Sequence, residues 1–198
     1  MGKIAVDVVL LPDEKMTALA IESNRELVEK FGSEIVLNKK NCLPHISLAM
    51  GVIDEKQTDN IKTVLEKIAK ENPPGQMNVI GIAVTVNFRG EEVSSFLIEK
   101  TRELQTLHRE IMDGLSPYLG SDATADMTAD KEVAESTLAW IKNYRAKSSF
   151  ENFWPHITIG YGRTGKAGFP IKFSASKLAM CHLGNHCTCR RVLFFAEV

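Results

Sequence analysis

The sequence predicts an α+β fold of two lobes related by a pseudo-twofold axis, with two largely antiparallel sheets lining a central cleft and helices outside. Strand and helix patterns are mixed along the chain without strict β–α–β alternation, which favours antiparallel pairing. A short phrase occurs at residues 44–48 and again at 155–159, and both copies read proline, histidine, apolar, hydroxyl, apolar. Because no low-complexity segment or flexible linker divides the chain, residues 1–198 are expected to form a single domain of two intertwined lobes.

Strand and helix patterns alternate in the first half of the chain. Residues 3–10 are apolar and β-branched, which is typical of a buried strand. Residues 12–14 then predict the start of a helix that ends at Gly32. Its inner stripe would hold Met16, Ala20, Leu27 and Phe31. The first histidine strand runs to about Met50, and apolar residues at i, i+3, i+4 and i+7 predict a helix over 54–71.

The second half begins with a predicted hairpin of residues 77–87 and 93–99. The helix that follows has an apolar face made of Leu104, Leu107, His108, Ile111 and Leu115. On this face His108 is expected to be a core histidine with satisfied hydrogen bonds. A weaker helix pattern covers 132–147 and leads to the second histidine strand, and residues 171–182 and 188–197 predict a C-terminal hairpin.

Composition argues against several classes of function. The formal net charge is −1, whereas a protein dedicated to duplex DNA normally carries a basic excess. No apolar run approaches the roughly 20 residues that span a bilayer, and Asp7 interrupts what would be the apolar core of a signal peptide. We therefore expect a cytoplasmic protein with no membrane partner. Its cysteines are expected to be reduced thiols, and they are Cys42, Cys181, Cys187 and Cys189.

The repeated phrase places two kinds of reactive side chain together. Alternate residues of a strand point to the same face, so His45 projects with Ser47 and His156 projects with Thr158. One imidazole can take a proton while another gives one, and hydroxyls can hold the oxygens of an anion. This scheme for a phosphate ester needs no metal and no cofactor. A single copy would be read as a half-exposed polar strand face, but two matching copies favour a shared site.

At these residues the chain resembles the 2H phosphoesterase superfamily, which is named for two His-x-Thr/Ser motifs, here His45-Ile46-Ser47 and His156-Ile157-Thr158. The resemblance covers most of the chain. It implies a bilobal α+β fold and a hydrolase that acts without metal on 2',5' or 2',3'-cyclic phosphodiester linkages. It also implies His45 and His156 as the catalytic pair, Ser47 and Thr158 as phosphate ligands, and an RNA end or small nucleotide as the substrate. Ser47 stands where threonine is commoner, and it keeps the hydroxyl.

Residues beside the second motif are candidates for further substrate contacts. Phe150 and Phe153 could stack on a nucleobase or could pack in the core. Arg163 closes the second motif strand and could contact a phosphate, although solvated surface charge is the favoured interpretation of this residue taken alone.

Three other interpretations remain open from the sequence. Ser47 could be a nucleophile with His156 as its base, although no Gly-x-Ser-x-Gly elbow surrounds it. A noncatalytic RNA-binding module could use the same cleft, with the aromatics around Trp154 and the lysines at 39–40 as contacts. The cluster of cysteines and histidines over 181–189 could hold zinc, although its spacing is not Cys-x2-Cys.

Overall fold

The structure is a computed structural model that describes residues 2–32, 34–87, 89–165 and 168–198. The strands are β1 (Lys3–Pro12), β2 (Ile46–Asp54), β3 (Gln76–Val86), β4 (Glu92–Ile98), β5 (His156–Tyr161), β6 (Ile171–Leu183) and β7 (Cys189–Glu197). The helices are α1 (Glu14–Phe31), α2 (Thr58–Glu71), α3 (Arg102–Gly114) and α4 (Glu135–Lys147). This mixture of helices and antiparallel strands confirms the predicted α+β class.

All strand pairings in the described part of the chain are antiparallel, and the long strand β6 joins the two halves of the sheet. The path runs β2-β1-β6-β3-β4-β5, and β7 pairs with β6 off this path. Residues 175–182 of β6 pair with β1 and residues 177–183 pair with β7, whereas residues 171–174 pair with β3. The two predicted sheets are therefore continuous through one shared strand.

The two halves repeat a small irregularity beside each motif. In the β1/β2 ladder Ser47 pairs with Val9, and the register then skips Leu48. In the β4/β5 ladder Thr158 pairs with Ser95, and the register skips Ile159. A bulge bends its strand and redirects the side chains beside it. The same bulge follows the motif hydroxyl in both lobes, as expected for lobes related by a pseudo-twofold axis.

Most predicted helix stripes are buried, with one exception at the end of α1. Met16, Ala20 and Leu27 face the core, but Phe31 is 54% exposed, so its predicted inward position is wrong. The Phe31 ring lies against Gly162, so close that an added Cβ there would collide with it. Because α1 has already reached the edge of the sheet, its last residue covers a strand end instead of the core. Within the described chain, we find no helix with the length and apolar character that a bilayer crossing demands.

The predicted reduced state of all four cysteines is wrong for two of them. Cys181 on β6 and Cys189 at the start of β7 form a disulfide, with Cα atoms 5.5 Å apart. Cys42 and Cys187 are free. The hairpin brings the two cysteines together, and their Cα separation lies within the range of a disulfide.

Candidate active site

The two motif strands are the two ends of the sheet path, and the fold brings them back together. β2 and β5 occupy opposite ends of that path, yet some of their Cα atoms come within 8 Å of each other. The sheet therefore curves strongly without closing. The gap between its end strands is the place where both motifs meet.

Side chains alternate across this gap as the sequence pattern indicates. Ile46, Leu48, Ile157 and Ile159 are all fully buried in the core. The motif histidines and hydroxyls lie on the opposite strand face and are half-buried, and the side chain of His45 is 15% exposed. The apolar residues thus anchor each strand, and the polar residues stay accessible to a small ligand.

Both imidazole rings are held by a carbonyl group two residues earlier in the chain. His45 Nδ1 lies 2.7 Å from the Leu43 oxygen, and His156 Nδ1 lies 2.8 Å from the Trp154 oxygen. Because a carbonyl oxygen only accepts hydrogen bonds, each Nδ1 carries a hydrogen and donates it. Each Nε2 is left as the atom that can exchange a proton with a ligand.

Burial makes both imidazoles weaker bases than a histidine in water. Loss of solvent lowers the pKa of His45 and the pKa of His156, while the carbonyl contacts at Nδ1 oppose the shift. Repulsion by a protonated His156 lowers the pKa of His45 further, so the two rings influence each other across the gap. Both imidazoles should therefore lose their protons at a lower pH than a histidine in water.

The two motif hydroxyls have different surroundings. Ser47 Oγ lies 2.6 Å from Oδ2 of Asp7, a fully buried carboxyl on β1 that the sequence analysis did not identify as a site residue. The same Oδ2 lies 3.7 Å from His45 Nε2. Within the described chain, the Thr158 hydroxyl forms no hydrogen bond. The site is thus symmetric in its histidines and asymmetric in the support of its hydroxyls.

The loop before His45 is supported by the disulfide-bonded hairpin. The Leu43 N–H donates to the Cys189 oxygen at 3.2 Å, so Leu43 links this hairpin to the His45 ring. Arg190 donates to the Asn41 oxygen at 3.1 Å and pairs with Asp130 at 2.9 Å. The position of His45 therefore depends on a strand more than 140 residues further along the chain.

His108 on α3 connects the regions around both motifs. Its Nδ1 donates to the Leu48 oxygen at 2.8 Å, and its Nε2 accepts the Phe150 N–H at 2.7 Å. The ring also stacks on Phe153 with centroids 4.0 Å apart. Burial is the main cause that lowers the pKa of His108 to about 4. A neutral, fully bonded core histidine was expected here, but its link between the motif segments was not.

Asn24 on α1 performs a similar structural task for the second motif strand. Its amide nitrogen donates to the Ile159 oxygen at 2.7 Å and to the Ile35 oxygen at 2.9 Å, and its oxygen accepts the Leu37 N–H at 2.8 Å. The side chain is only 1% exposed. A polar residue on the apolar stripe of α1 was the one available signal of this role in the sequence.

Three residues that flank the second motif were candidates for substrate contacts, and the structure shows each of them packed or paired with other residues of the chain. Phe153 is 3% exposed and packs in the core, which corrects its possible use as a stacking surface. Phe150 is half-buried and meets His108 edge-on at 6.1 Å. Arg163 is exposed, but its guanidinium pairs with Glu92 at 2.6 Å, so a phosphate would compete with that carboxylate. These three residues are not brought to the histidine pair as free groups.

Trp154 offers an accessible aromatic surface beside the second histidine. Its ring lies 4.6 Å from the His156 ring, tilted by 34°, and the residue is 42% exposed. The Trp154 backbone carbonyl holds the His156 ring, and the indole face of Trp154 is accessible to solvent. A ligand at His156 would therefore meet this indole first.

Two alternatives remain from the sequence: zinc binding by the hairpin over 181–189 and RNA contacts by the lysines at 39–40. Cys181 and Cys189 are bonded to each other, and within the described residues no group of three or more His, Cys, Asp or Glu is arranged to hold a metal. Lys39 pairs with Glu14 at 2.8 Å. Surface cavities of about 360 and 260 Å³ lie elsewhere and contain no motif residue, so the assignment of this site depends on its side-chain chemistry.

Comparison with known proteins points to one family. A family model described as the 2'-5' RNA ligase superfamily matches residues 38–179, which include both motifs. No protein of curated function matches the sequence.

Solved structures with the same fold have low sequence identity. TT0787 of Thermus thermophilus has a TM-score of 0.59 and 15% identity, covering 98% of this chain and 97% of that one. E. coli LigT complexed with NADP+ has a TM-score of 0.55 and 11% identity, covering 99% and 98%. E. coli LigT complexed with phosphate has a TM-score of 0.51 and 12% identity, covering 100% and 99%. At these identities the likeness shows the fold.

Proposed function

Because this chain belongs to the 2'-5' RNA ligase superfamily and is thus a phosphoesterase- or ligase-type enzyme, we propose that it cleaves 2',5' or 2',3'-cyclic phosphodiester linkages by acid–base catalysis. His45 and His156 would be the catalytic residues. The substrate would be an RNA end or a small nucleotide. The proposal is carried by one observation: the end strands that meet across the gap each present an imidazole that is held at Nδ1 and stands two residues before a hydroxyl.

The proposed hydrolysis moves two protons. One neutral imidazole takes a proton from water at Nε2 while the water oxygen forms a bond to phosphorus. The bond from phosphorus to a ribose oxygen breaks, and the protonated Nε2 of the other imidazole gives its proton to that oxygen. Hydroxyl groups of Ser47 and Thr158 donate to the non-bridging oxygens as charge builds there. With a ribose hydroxyl in place of water, the same groups would join two RNA ends: that hydroxyl loses its proton to one imidazole and bonds to the phosphorus of a 2',3'-cyclic phosphate, and the ribose oxygen that leaves takes a proton from the other imidazole.

A substrate panel tests this proposal directly. We expect product from at least one of three classes: 2',3'-cyclic nucleotides, 2',5'-linked oligoadenylates and RNA with a cyclic-phosphate end. Because the scheme uses only protein groups, turnover should be the same with and without a chelator. Loss of turnover in chelator, restored by a divalent ion, would contradict the scheme. Tight RNA binding without product from any class would instead favour a noncatalytic RNA-binding module.

Trp154 is expected to contribute to substrate affinity. Stacking of a base on an aromatic side chain is worth about 1–3 kcal/mol, so Trp154→Ala should raise KM roughly tenfold while kcat changes little. The matched control is Trp140→Ala, because Trp140 is also half-exposed but lies on α4. Steady-state kinetics on the best substrate would measure both variants. Equal KM values for Trp154→Ala and the wild type would remove Trp154 from the binding site.

A further inference from the structure

Asp7 is a buried acidic group at the base of the proposed site, and the scheme above does not use it. The residue is fully buried in the middle of β1, where a charged carboxylate is costly. Its Oδ2 lies 2.6 Å from Ser47 Oγ and 3.7 Å from His45 Nε2. Its Oδ1 is buried and finds no hydrogen-bond partner in the described residues.

The corresponding position of the second lobe holds an apolar residue in place of this carboxyl. In the first lobe, the pairs that follow Ser47–Val9 along the β1/β2 ladder are Ala49–Val8 and then Met50–Asp7. In the second lobe, the pairs that follow Thr158–Ser95 along the β4/β5 ladder are Gly160–Ser94 and then Tyr161–Val93. Valine therefore occupies in one lobe the position that aspartate occupies in the other, and an apolar residue is compatible with the ladder.

The groups around Asp7 indicate that its carboxyl holds a proton. Burial raises the pKa of Asp7 well above its ordinary value, although the Ser47 hydroxyl opposes this shift. Asp7 faces His45 from β2, Tyr144 from α4 and Cys187 from the hairpin, and Cys181 beside it on β6 is bonded in the disulfide. Burial also lowers the pKa of His45, which favours the neutral imidazole beside the carboxyl.

The protonation state of Asp7 decides which way the Ser47 hydroxyl points. An ionised carboxylate only accepts, so the Ser47 hydroxyl would donate its hydrogen to Oδ2 across the 2.6 Å contact and have none left for a phosphate. A protonated carboxyl can donate its own hydrogen to Ser47 Oγ, across the same 2.6 Å distance. The Ser47 hydrogen is then free to point into the gap. The neutral acid also avoids placing a negative charge beneath an anionic ligand.

We propose that Asp7 is a positioning residue that, as the neutral acid, donates to Ser47 Oγ and so directs the Ser47 hydroxyl hydrogen at a phosphoryl oxygen. This inference rests on the proposed function and deepens it. It gives the first lobe an oriented phosphate donor, whereas Thr158 in the second lobe remains free to rotate.

Binding of inorganic phosphate tests the proposal in the full-length protein. Asp7→Asn keeps a group that donates to Ser47, so its phosphate dissociation constant should stay within about threefold of the wild type. Asp7→Val places the second-lobe side chain in the first lobe and should weaken phosphate about tenfold, as should Ser47→Ala. Added to Ser47→Ala, Asp7→Val should cause no further loss. Added to Thr158→Ala, the matched control, it should cause its full tenfold loss.

A second measurement separates positioning from a structural role. Asp7→Val removes a buried carboxyl with an unpaired oxygen, so it should unfold at the same denaturant concentration as the wild type or a higher one. The proposal is overturned by any of four results: Asp7→Asn as weak as Asp7→Val, additive losses with Ser47→Ala, unchanged phosphate binding in Asp7→Val, or no phosphate binding by the wild type. If the predicted binding pattern holds but the substrate panel yields no product, only the proposed reaction fails.

Discussion

Replacement of either His45 or His156 by alanine is expected to lower kcat by about 10²–10⁴-fold, because each removes one proton-transfer group from the reaction. Substrate affinity should fall far less, since Ser47, Thr158 and Trp154 remain. Single-turnover kinetics together with direct binding would measure the two effects separately. The matched control is His182→Ala, because His182 is half-buried on β6 and its one side-chain hydrogen bond among the described residues is to the Met127 oxygen.

The double variant makes the same prediction sharper. If the two imidazoles act as one acid–base unit, replacing both should cost about as much as the more damaging single replacement. Losses that multiply would instead indicate two independent contributions. Retention of wild-type kcat in either single variant would remove that histidine from the chemistry.

The pH dependence of kcat/KM should reflect the lowered pKa values of the same pair. Below the lower pKa both rings are protonated and no base is available, and above the upper pKa both are neutral and no acid is available. Because burial lowers the pKa of His45 and of His156, the bell should be centred below the ordinary histidine value of about 6.5. Activity that rises steadily above neutral pH would contradict this assignment.

Acidification should destabilise the fold through His108. Its pKa is about 4 in the folded chain, against about 6.5 in an unfolded chain, so the unfolded state binds the extra proton between these values. The stabilisation is complete above about pH 6.5 and is lost as the pH falls toward about 4. The difference corresponds to about 3 kcal/mol in the free energy of unfolding. Denaturant unfolding at a series of pH values would measure it.

A variant that does not titrate isolates this effect. His108→Gln keeps one donor and one acceptor but has no proton to gain, so its stability should depend less on pH over this range by about the same 3 kcal/mol. Asp7 has the opposite effect on how stability depends on pH. Burial raises its pKa in the folded chain, so its contribution to stability is present below about pH 4 and is lost as the pH rises through that raised pKa. If the free energy of unfolding of His108→Gln fell with acid as much as that of the wild type, His108 would not be neutral in the folded chain.

The local elements of this protein could be read from neighbouring residues. The α1 helix begins where Asp13 accepts the Met16 N–H at 2.9 Å, as an acidic cap predicts. Alternation in each histidine phrase correctly assigned Ile46 and Ile157 to the core. These features depend on propensity, capping and side-chain period, which act over a few residues.

Other predictions failed because they depended on where an element ends in space. Phe31 continues the apolar stripe of α1, but the helix passes the sheet edge before reaching it. The sequence left Phe153 open between stacking on a base and packing in the core, and its stacking against His108 from α3 decided for the core. The cysteine prediction followed from the absence of an export signal, whereas pairing within one hairpin created the disulfide.

The sequence by itself determined the α+β class, the order of the elements and the identity of the two histidine motifs, because these follow from short-range patterns. Only the tertiary structure decided that the end strands β2 and β5 meet, and that Asp7 and His108 reach the motif segments across separations of 40 and 60 residues. The physical reason is that such contacts depend on strand order, register and bulges. Those properties are set by packing of the whole chain and leave no local pattern in the sequence.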